Sequence, residues 1–284
     1  MSGIDPALRI RAVTLGVSDV SRSVDFYEQA LGLRLIERDN GTAMLGSGGE
    51  PALVLTGIEG PTALPPGASG LFHVAWLHPS RAALADTLWR LARAHWPLEG
   101  ASDHGVSEAV YLSDPDGLGI EIYADRPRER WARTADGGVE MVTLPLDLED
   151  LLAQATGEPA DAVAPGTGVG HVHLKVADVG RASRFYGEDL GFDEQARLPA
   201  AAFLGAGGYH HHIGLNSWQS AGAGPAPETA PGLREVLFEL SDAGTVSELQ
   251  QRLADRGDDP VELEDRLVVG DPDGQTLAFA APRS

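Results

Sequence analysis

The sequence contains no cysteine. Disulfides, zinc-thiolate sites, iron-sulfur clusters and cysteine nucleophiles are therefore excluded, and any metal must be held by histidine and carboxylate side chains. No apolar run approaches the ~20 residues that cross a bilayer, and the opening MSGIDPALRIRAVTL has neither the basic flank nor the apolar centre of a leader. A cytoplasmic location with no membrane partner is expected. Positive charge is also scarce: 21 Lys and Arg stand against 42 Asp and Glu, a formal net charge of −21. Such a chain repels phosphates and offers no basic stripe, so nucleic acid is not an expected partner. Acidic stretches such as LPLDLEDLL read as solvated surface.

What the sequence does have is length and repetition. At 284 residues it exceeds the usual size of one domain, so two are expected. VSDVSRSVDFYEQALGL at Val17 to Leu33 recurs as VADVGRASRFYGEDLGF at Val176 to Phe192. Asp19 matches Asp178, Phe26-Tyr27 matches Phe185-Tyr186, and Gly48-Gly49 matches Gly207-Gly208 at a constant offset. Farther on, the DPDG at Asp114 returns at Asp271. Each copy starts with a β-rich run, VTLGV or HVHLKV. An Asp suited to cap a helix follows, with Val24, Tyr27 and Leu31 at helical spacing, and short strands separated by Gly-rich turns come last. FHVAWL, RAALADTLWRLARAH and VYLSDPDGLGIEIYA repeat that order. The expected architecture is α+β: four βαβββ modules, two in an N-terminal domain at 1–126 and two in a C-terminal domain at 166–284. The segment 127–165 reads as a linker with a short helix near Asp147 to Ala155.

Strand, D-V-x-x-S-x-x-F-Y-x-x-x-L-G-[LF], and then D-P-D-G-x-x-[IL]-[EA] resemble the vicinal-oxygen-chelate superfamily of glyoxalases, bleomycin-resistance proteins and extradiol dioxygenases, over nearly the whole chain. GHVHLKVADV, GGYHHHIGLNSW and ASDHGVSEAVYLSDPDGLGIEIYADRP look most like its two-domain catechol-2,3-dioxygenase-type members. The resemblance implies paired modules whose curved mixed sheets enclose a metal-lined cleft. Ligand positions are implied on the first and last strands of each module. They fall at His171, His212, Glu235 and Ala278 in the second domain and at Ala12, Leu53, His73 and Glu121 in the first.

Period-two alternation supports a site in the second domain. His171 and His173 share one strand face, as do His210 and His212, and as do Glu235, Leu237 and Glu239. His171, His212 and Glu235 are thus the expected ligands, with Glu235 replacing the carboxylate that Ala278 lacks. Two imidazoles and a carboxylate suit a divalent metal, Fe(II) favoured and Mn(II) the other candidate, at a non-haem oxygenase centre. The first domain, with only His73 and Glu121, reads as a structural half with a polar remnant, His104 either approaching it or bonding its own turn.

The function implied is extradiol ring cleavage of a small aromatic, catechol-like substrate with O2. His210 or His211 is the expected acid/base, with His173 as second choice; alternation favours His210, and the family motif leans to His211. Tyr209 or Trp218 could pack on the aromatic ring. The alternatives are a glyoxalase-like lyase or isomerase using Glu121 or Glu239 as base, and a metal-free protein that binds an antibiotic or other small molecule. A homo-oligomer is compatible with the sequence.

Overall fold

The computed structural model describes residues 3–135, 137–157 and 161–282. Residues 136 and 158–160 of the expected linker, and 1–2 and 283–284 of the expected domains, lie outside the described residues. The first module comprises β1 (Arg9–Val17), α1 (Val20–Phe26), β2 (Arg34–Asp39), β3 (Thr42–Gly46) and β4 (Leu53–Gly57). The second comprises β5 (Gly70–His78), α2 (Arg81–Arg93), β6 (Gly100–Asp103), β7 (Ser107–Ser113) and β8 (Gly119–Asp125). The connecting segment holds β9 (Leu144–Pro145) and α3 (Leu148–Leu152). The third module then runs β10 (Gly168–Lys175), α4 (Val179–Arg184), β11 (Asp193–Leu198), β12 (Ala201–Gly205) and β13 (Ile213–Asn216). The fourth runs β14 (Gly232–Glu239), α5 (Ala243–Arg256), β15 (Val261–Leu263), β16 (Arg266–Gly270) and β17 (Thr276–Ala280).

The repeated motifs act as local punctuation. The Asp19 and Asp178 carboxylates accept from the backbone N–H groups of Arg22 and Arg181, at 3.1 and 2.8 Å, which satisfies donors otherwise left open at a helix start. Each helix ends in a wider π turn, and Gly32 and Gly191 follow with φ of 79° and 90°, a region that disfavours any residue with a Cβ. In the DPDG turns, Asp114 accepts from the N–H groups of Asp116 and Leu118, and Asp271 from those of Asp273 and Gln275. The two motifs also meet in space, since the Tyr27 hydroxyl donates to Asp114 at 3.4 Å and the Tyr186 hydroxyl to Asp271 at 2.9 Å. The F-Y and D-P-D-G elements of one half therefore lock its two modules together through their helical sides.

The sheets do not follow the same division. One has the order β15-β16-β17-β14-β1-β4-β3-β2, the other β11-β12-β13-β10-β5-β8-β7-β6-β9. Two curved mixed sheets form as expected, but module 1 shares its sheet with module 4 and module 2 shares its sheet with module 3. The pairing of modules within each half, expected from the sequence, is thus corrected to a pairing across halves. The seams are the antiparallel β1–β14 and β10–β5 pairs, with Val13 opposite Val236 and Val172 opposite Val74. These four side chains are buried, so the seams are also part of the core. Val172, Leu174, Val176, Val236 and Phe238 are buried in the main hydrophobic core. No helix among the described residues is long and apolar enough to cross a membrane.

Candidate metal centre

The seam between modules 2 and 3 positions the centre. Across β10, β5 and β8, His171 lies opposite Ala75, and Ala75 lies beside Glu121. Side chains in such a row project from the same face. The small Ala75 methyl leaves the space above it to its larger neighbours. His73 projects from the same face of β5, two residues from Ala75. The result is a buried cluster in which one ligand atom each of His73, Glu121 and His171 lies within 4.8 Å of the others.

His73 Nε2 and His171 Nε2 lie 3.0 and 3.4 Å from Glu121 Oε2. His73 Nε2 is buried and, despite that proximity, is in no position to hydrogen-bond. Three donors converging on a common point without satisfying one another form an arrangement that fits a divalent metal. Burial, opposed by the attraction of Glu121, pushes the His171 imidazole down to about 4, so it is neutral and able to ligate near neutral pH. At Glu121 burial acts to raise the pKa. The electrostatic attraction of His171 and His73 outweighs it and holds the carboxyl well below its usual range.

Beside the cluster is a cavity of about 330 Å³, whose lining includes the three donors, His173, His211 and the aromatic rings of Phe72, Phe203 and Trp218. Met141 and Thr143 complete part of the wall, so the segment expected to be only a linker builds the cavity. Gly214 makes room for His173: a Cβ at that position would come within 2.8 Å of the imidazole.

Of the expected ligands, the structure brings only His171 into this cluster. His212 turns away: its Nδ1 accepts from the Ala206 N–H at 3.2 Å and its ring lies 4.9 Å from that of Tyr209. Glu235 is on the other sheet, where Arg266 donates to it at 2.6 Å. The set His171, His212 and Glu235 is therefore not assembled. The cause lies in the backbone as well as the module pairing. Residues 209–212 form an irregular segment before β13, so strand alternation does not govern the three consecutive histidines.

His211, not His210, lines the cavity, with its ring centroid 4.0 Å from that of His171. His210 stands behind it. His210 Nε2 is 2.9 Å from Asp125 Oδ1, and His210 Nδ1 is 2.8 Å from His211 Nδ1. The first domain's supposed remnant, His73 and Glu121, supplies two of the three converging donors. His104 is no ligand: its Nδ1 donates to the Val142 carbonyl at 2.8 Å, leaving Nε2 to accept from the Tyr111 hydroxyl at 2.7 Å. Tyr209 is buried in a separate cluster with Val106, Trp131 and Val139, whereas the exposed Trp218 does reach the cavity. Asp125 and Tyr111 were not singled out from the sequence. Asp125 had a weak signal, as an acid at the end of the last strand of its module.

Two curved sheets built from four βαβββ modules, with a buried His-Glu-His cluster at one seam, define a metal-site protein of the duplicated-module type. The chain belongs to the Glyoxalase/Bleomycin resistance protein/Dioxygenase superfamily, whose family model matches residues 9–122 and 168–279. Its sequence is 38% identical over 277 residues to a catechol-2,3-dioxygenase of Bacillus subtilis (strain 168), covering 96% of each chain. Its fold is similar to that of a candidate dioxygenase from Bacillus subtilis subsp. subtilis str. 168, with a TM-score of 0.69 at 16% identity over 100% of this chain and 87% of the other. It is also similar to that of glyoxalase I from Zea mays, with a TM-score of 0.60 at 17% identity over 97% and 92% of the two chains. At these identities the structural likenesses speak to the fold alone.

Proposed function

We propose that the protein is an extradiol ring-cleaving dioxygenase acting on a catechol-like substrate, with its divalent metal held by His73, Glu121 and His171. The observation that carries this reading is the convergence of those three buried donors beside an aromatic cavity that also contains His173 and His211. The likeness to a catechol-2,3-dioxygenase agrees with it. A bound divalent metal, Fe(II) in the favoured reading and Mn(II) in the other, supplies Lewis-acid and redox chemistry to a catechol and O2.

The histidines supply the proton chemistry. In the neutral tautomer that the Asp125 carboxylate orients, His210 Nε2 donates to Asp125 and His210 Nδ1 accepts. His211 Nδ1 then donates to His210, which leaves His211 Nε2 with a bare lone pair. Burial and the surrounding imidazoles push His211 well below its ordinary range, so it rests neutral, ready to take a proton from a catechol hydroxyl. When it does, the chain through His210 to Asp125 is oriented to stabilise the charge. Phe72, Phe203 and Trp218 offer apolar faces that hold an aromatic ring and exclude water.

A glyoxalase-like reaction needs a carboxylate base free beside the metal. Glu121 is the one carboxylate on the cavity wall among the described residues and belongs to the cluster, while Glu239 accepts from Arg9 at 2.8 Å on the other sheet. The dioxygenase reading is tested by oxygen uptake with simple catechols after loading with Fe(II) or Mn(II) under anaerobic conditions. The expected result is stoichiometric O2 consumption with a yellow ring-fission product. Turnover of an α-oxo-aldehyde adduct with no oxygen demand, and none of catechols, would contradict it.

A further inference from the structure

The chain has a single lysine, Lys175, against twenty arginines. It occupies the last position of β10, two residues beyond His173 and four beyond His171, so alternation places all three on the same face of one strand. Roughly 13 Å of strand separates the Cα atoms of His171 and Lys175. A cavity of about 270 Å³ is lined by Lys175 together with His73, Tyr111 and Phe72. The last three residues also line the metal-site cavity, so the two spaces adjoin across a common wall. Lys175 also lines a third space of about 570 Å³ that opens beyond it.

Glu59 and Glu228 share the wall of that third space, but neither forms an ion pair with the Lys175 ammonium group. Among the described residues no carboxylate pairs with Lys175 and no hydrogen bond is made to its side chain, although the residue is half-buried in a strongly acidic chain. The strand position opposite it is Gly70, which contributes no side chain. Glu99, on the wall of the same cavity, accepts instead from the Ser113 hydroxyl. Burial lowers the Lys175 pKa, with no carboxylate acting to raise it. A half-buried cation on a cavity wall, without a protein partner, is suited to a ligand anion, because exchanging its remaining water for a carboxylate gives a charge-assisted hydrogen bond.

Building on the dioxygenase reading, we propose that Lys175 is a specificity-determining residue that receives a carboxylate carried on a short arm of the catechol ring. The substrate class is then the dihydroxyaryl-alkanoates and dihydroxyaryl-alkenoates rather than unsubstituted catechol. The two ring oxygens would face the His73, Glu121 and His171 cluster, while the arm passes the wall formed by Phe72 and Tyr111 and ends at the ammonium group. The arm has to pass the wall that the two spaces share, which favours a two- or three-carbon arm over a carboxyl attached directly to the ring.

The test compares 3,4-dihydroxyphenylacetate and 3,4-dihydroxyphenylpropionate with the neutral 4-ethylcatechol, using the metal-loaded wild type, Lys175→Met and Lys175→Arg. For Lys175→Met, kcat/KM for the two carboxylates is expected to fall roughly 10- to 100-fold through KM, with less than about a twofold change for 4-ethylcatechol; Lys175→Arg should recover part of the loss. Equal losses on neutral and anionic substrates, or no loss on either, would overturn the assignment while leaving ring cleavage intact. If no catechol is turned over, the dioxygenase reading fails, and anaerobic calorimetric titration still decides the role of Lys175. Tighter binding of the arylalkanoates than of 4-ethylcatechol, abolished in Lys175→Met, supports the anion site; equal binding overturns it.

Discussion

The two sheets are built from the same repeated module, yet corresponding positions differ in chemistry. At the seam of modules 2 and 3 they hold His73, Glu121 and His171, buried and converging. On the sheet of modules 1 and 4 they hold Ala12, Leu53 and Ala278, all buried and apolar, and Glu235, which is neutralised by Arg266. The strands of that sheet carry no histidine. Duplication has thus left one sheet with a cluster that fits a metal and the other with apolar or ion-paired residues at the matching positions. The division runs between module pairs taken from both halves of the chain, not between the halves themselves.

The largest effects that can break this comparison come from the donors. Substituting His73, Glu121 or His171 by Ala is expected to lower oxygen uptake with catechols by more than about a thousandfold, since each removes a ligand and leaves buried polar groups unpaired. Glu235→Gln and His212→Asn should retain activity within about a few-fold of wild type. Next is the proton chain. His211→Asn should lower kcat by roughly 10² to 10⁴-fold. Asp125→Asn should lower it less and shift the acid limb of the pH profile, because His210 then loses its oriented acceptor.

Acid should separate the sheets as well. His171 and His78, both on strands of the nine-stranded sheet, are pushed down to about 4, chiefly by burial. In the unfolded chain each protonates near 6.5, so the unfolded state binds more protons as pH falls below that value. The stability they contribute is complete above about pH 6.5 and is lost as pH falls towards 4, roughly 3 kcal/mol for each group. Hydrogen exchange of the metal-free protein, corrected for intrinsic rates, should show the nine-stranded sheet opening before the eight-stranded one between pH 6.5 and 4.5. Simultaneous loosening of both sheets would mean that the buried histidines do not set the acid limit. The smallest effect belongs to the Arg266–Glu235 pair. Glu235→Gln should change the urea unfolding free energy by less than about 1 kcal/mol, as expected for a partly exposed ion pair.

Much of the fold was legible because its signals are local. Asp19 and Asp178 cap helices, glycine closes them, and the DPDG turns bind their own backbone, each within a few residues. Which strand would lie beside which was not legible, since β1 meets β14, and β5 meets β10, through side chains distant in sequence. That one gap accounts for most of the misplaced site. The sequence already showed His73, Glu121 and His171 at ligand positions, and pairing modules by their polar content would have united them. The three consecutive histidines misled for a different reason: an irregular backbone turns His211 inward and His212 away, and no periodicity describes that segment.

The most direct measurement is the metal content of anaerobically purified protein, with Glu121→Ala set against Glu235→Ala and His73→Ala against His212→Ala. The structure predicts about one metal ion per chain in wild type, Glu235→Ala and His212→Ala, and a near-complete loss in Glu121→Ala and His73→Ala, with the folded circular-dichroism signal retained throughout. Full occupancy in Glu121→Ala and His73→Ala, with loss in Glu235→Ala and His212→Ala, would contradict the assignment of the metal to the seam between modules 2 and 3.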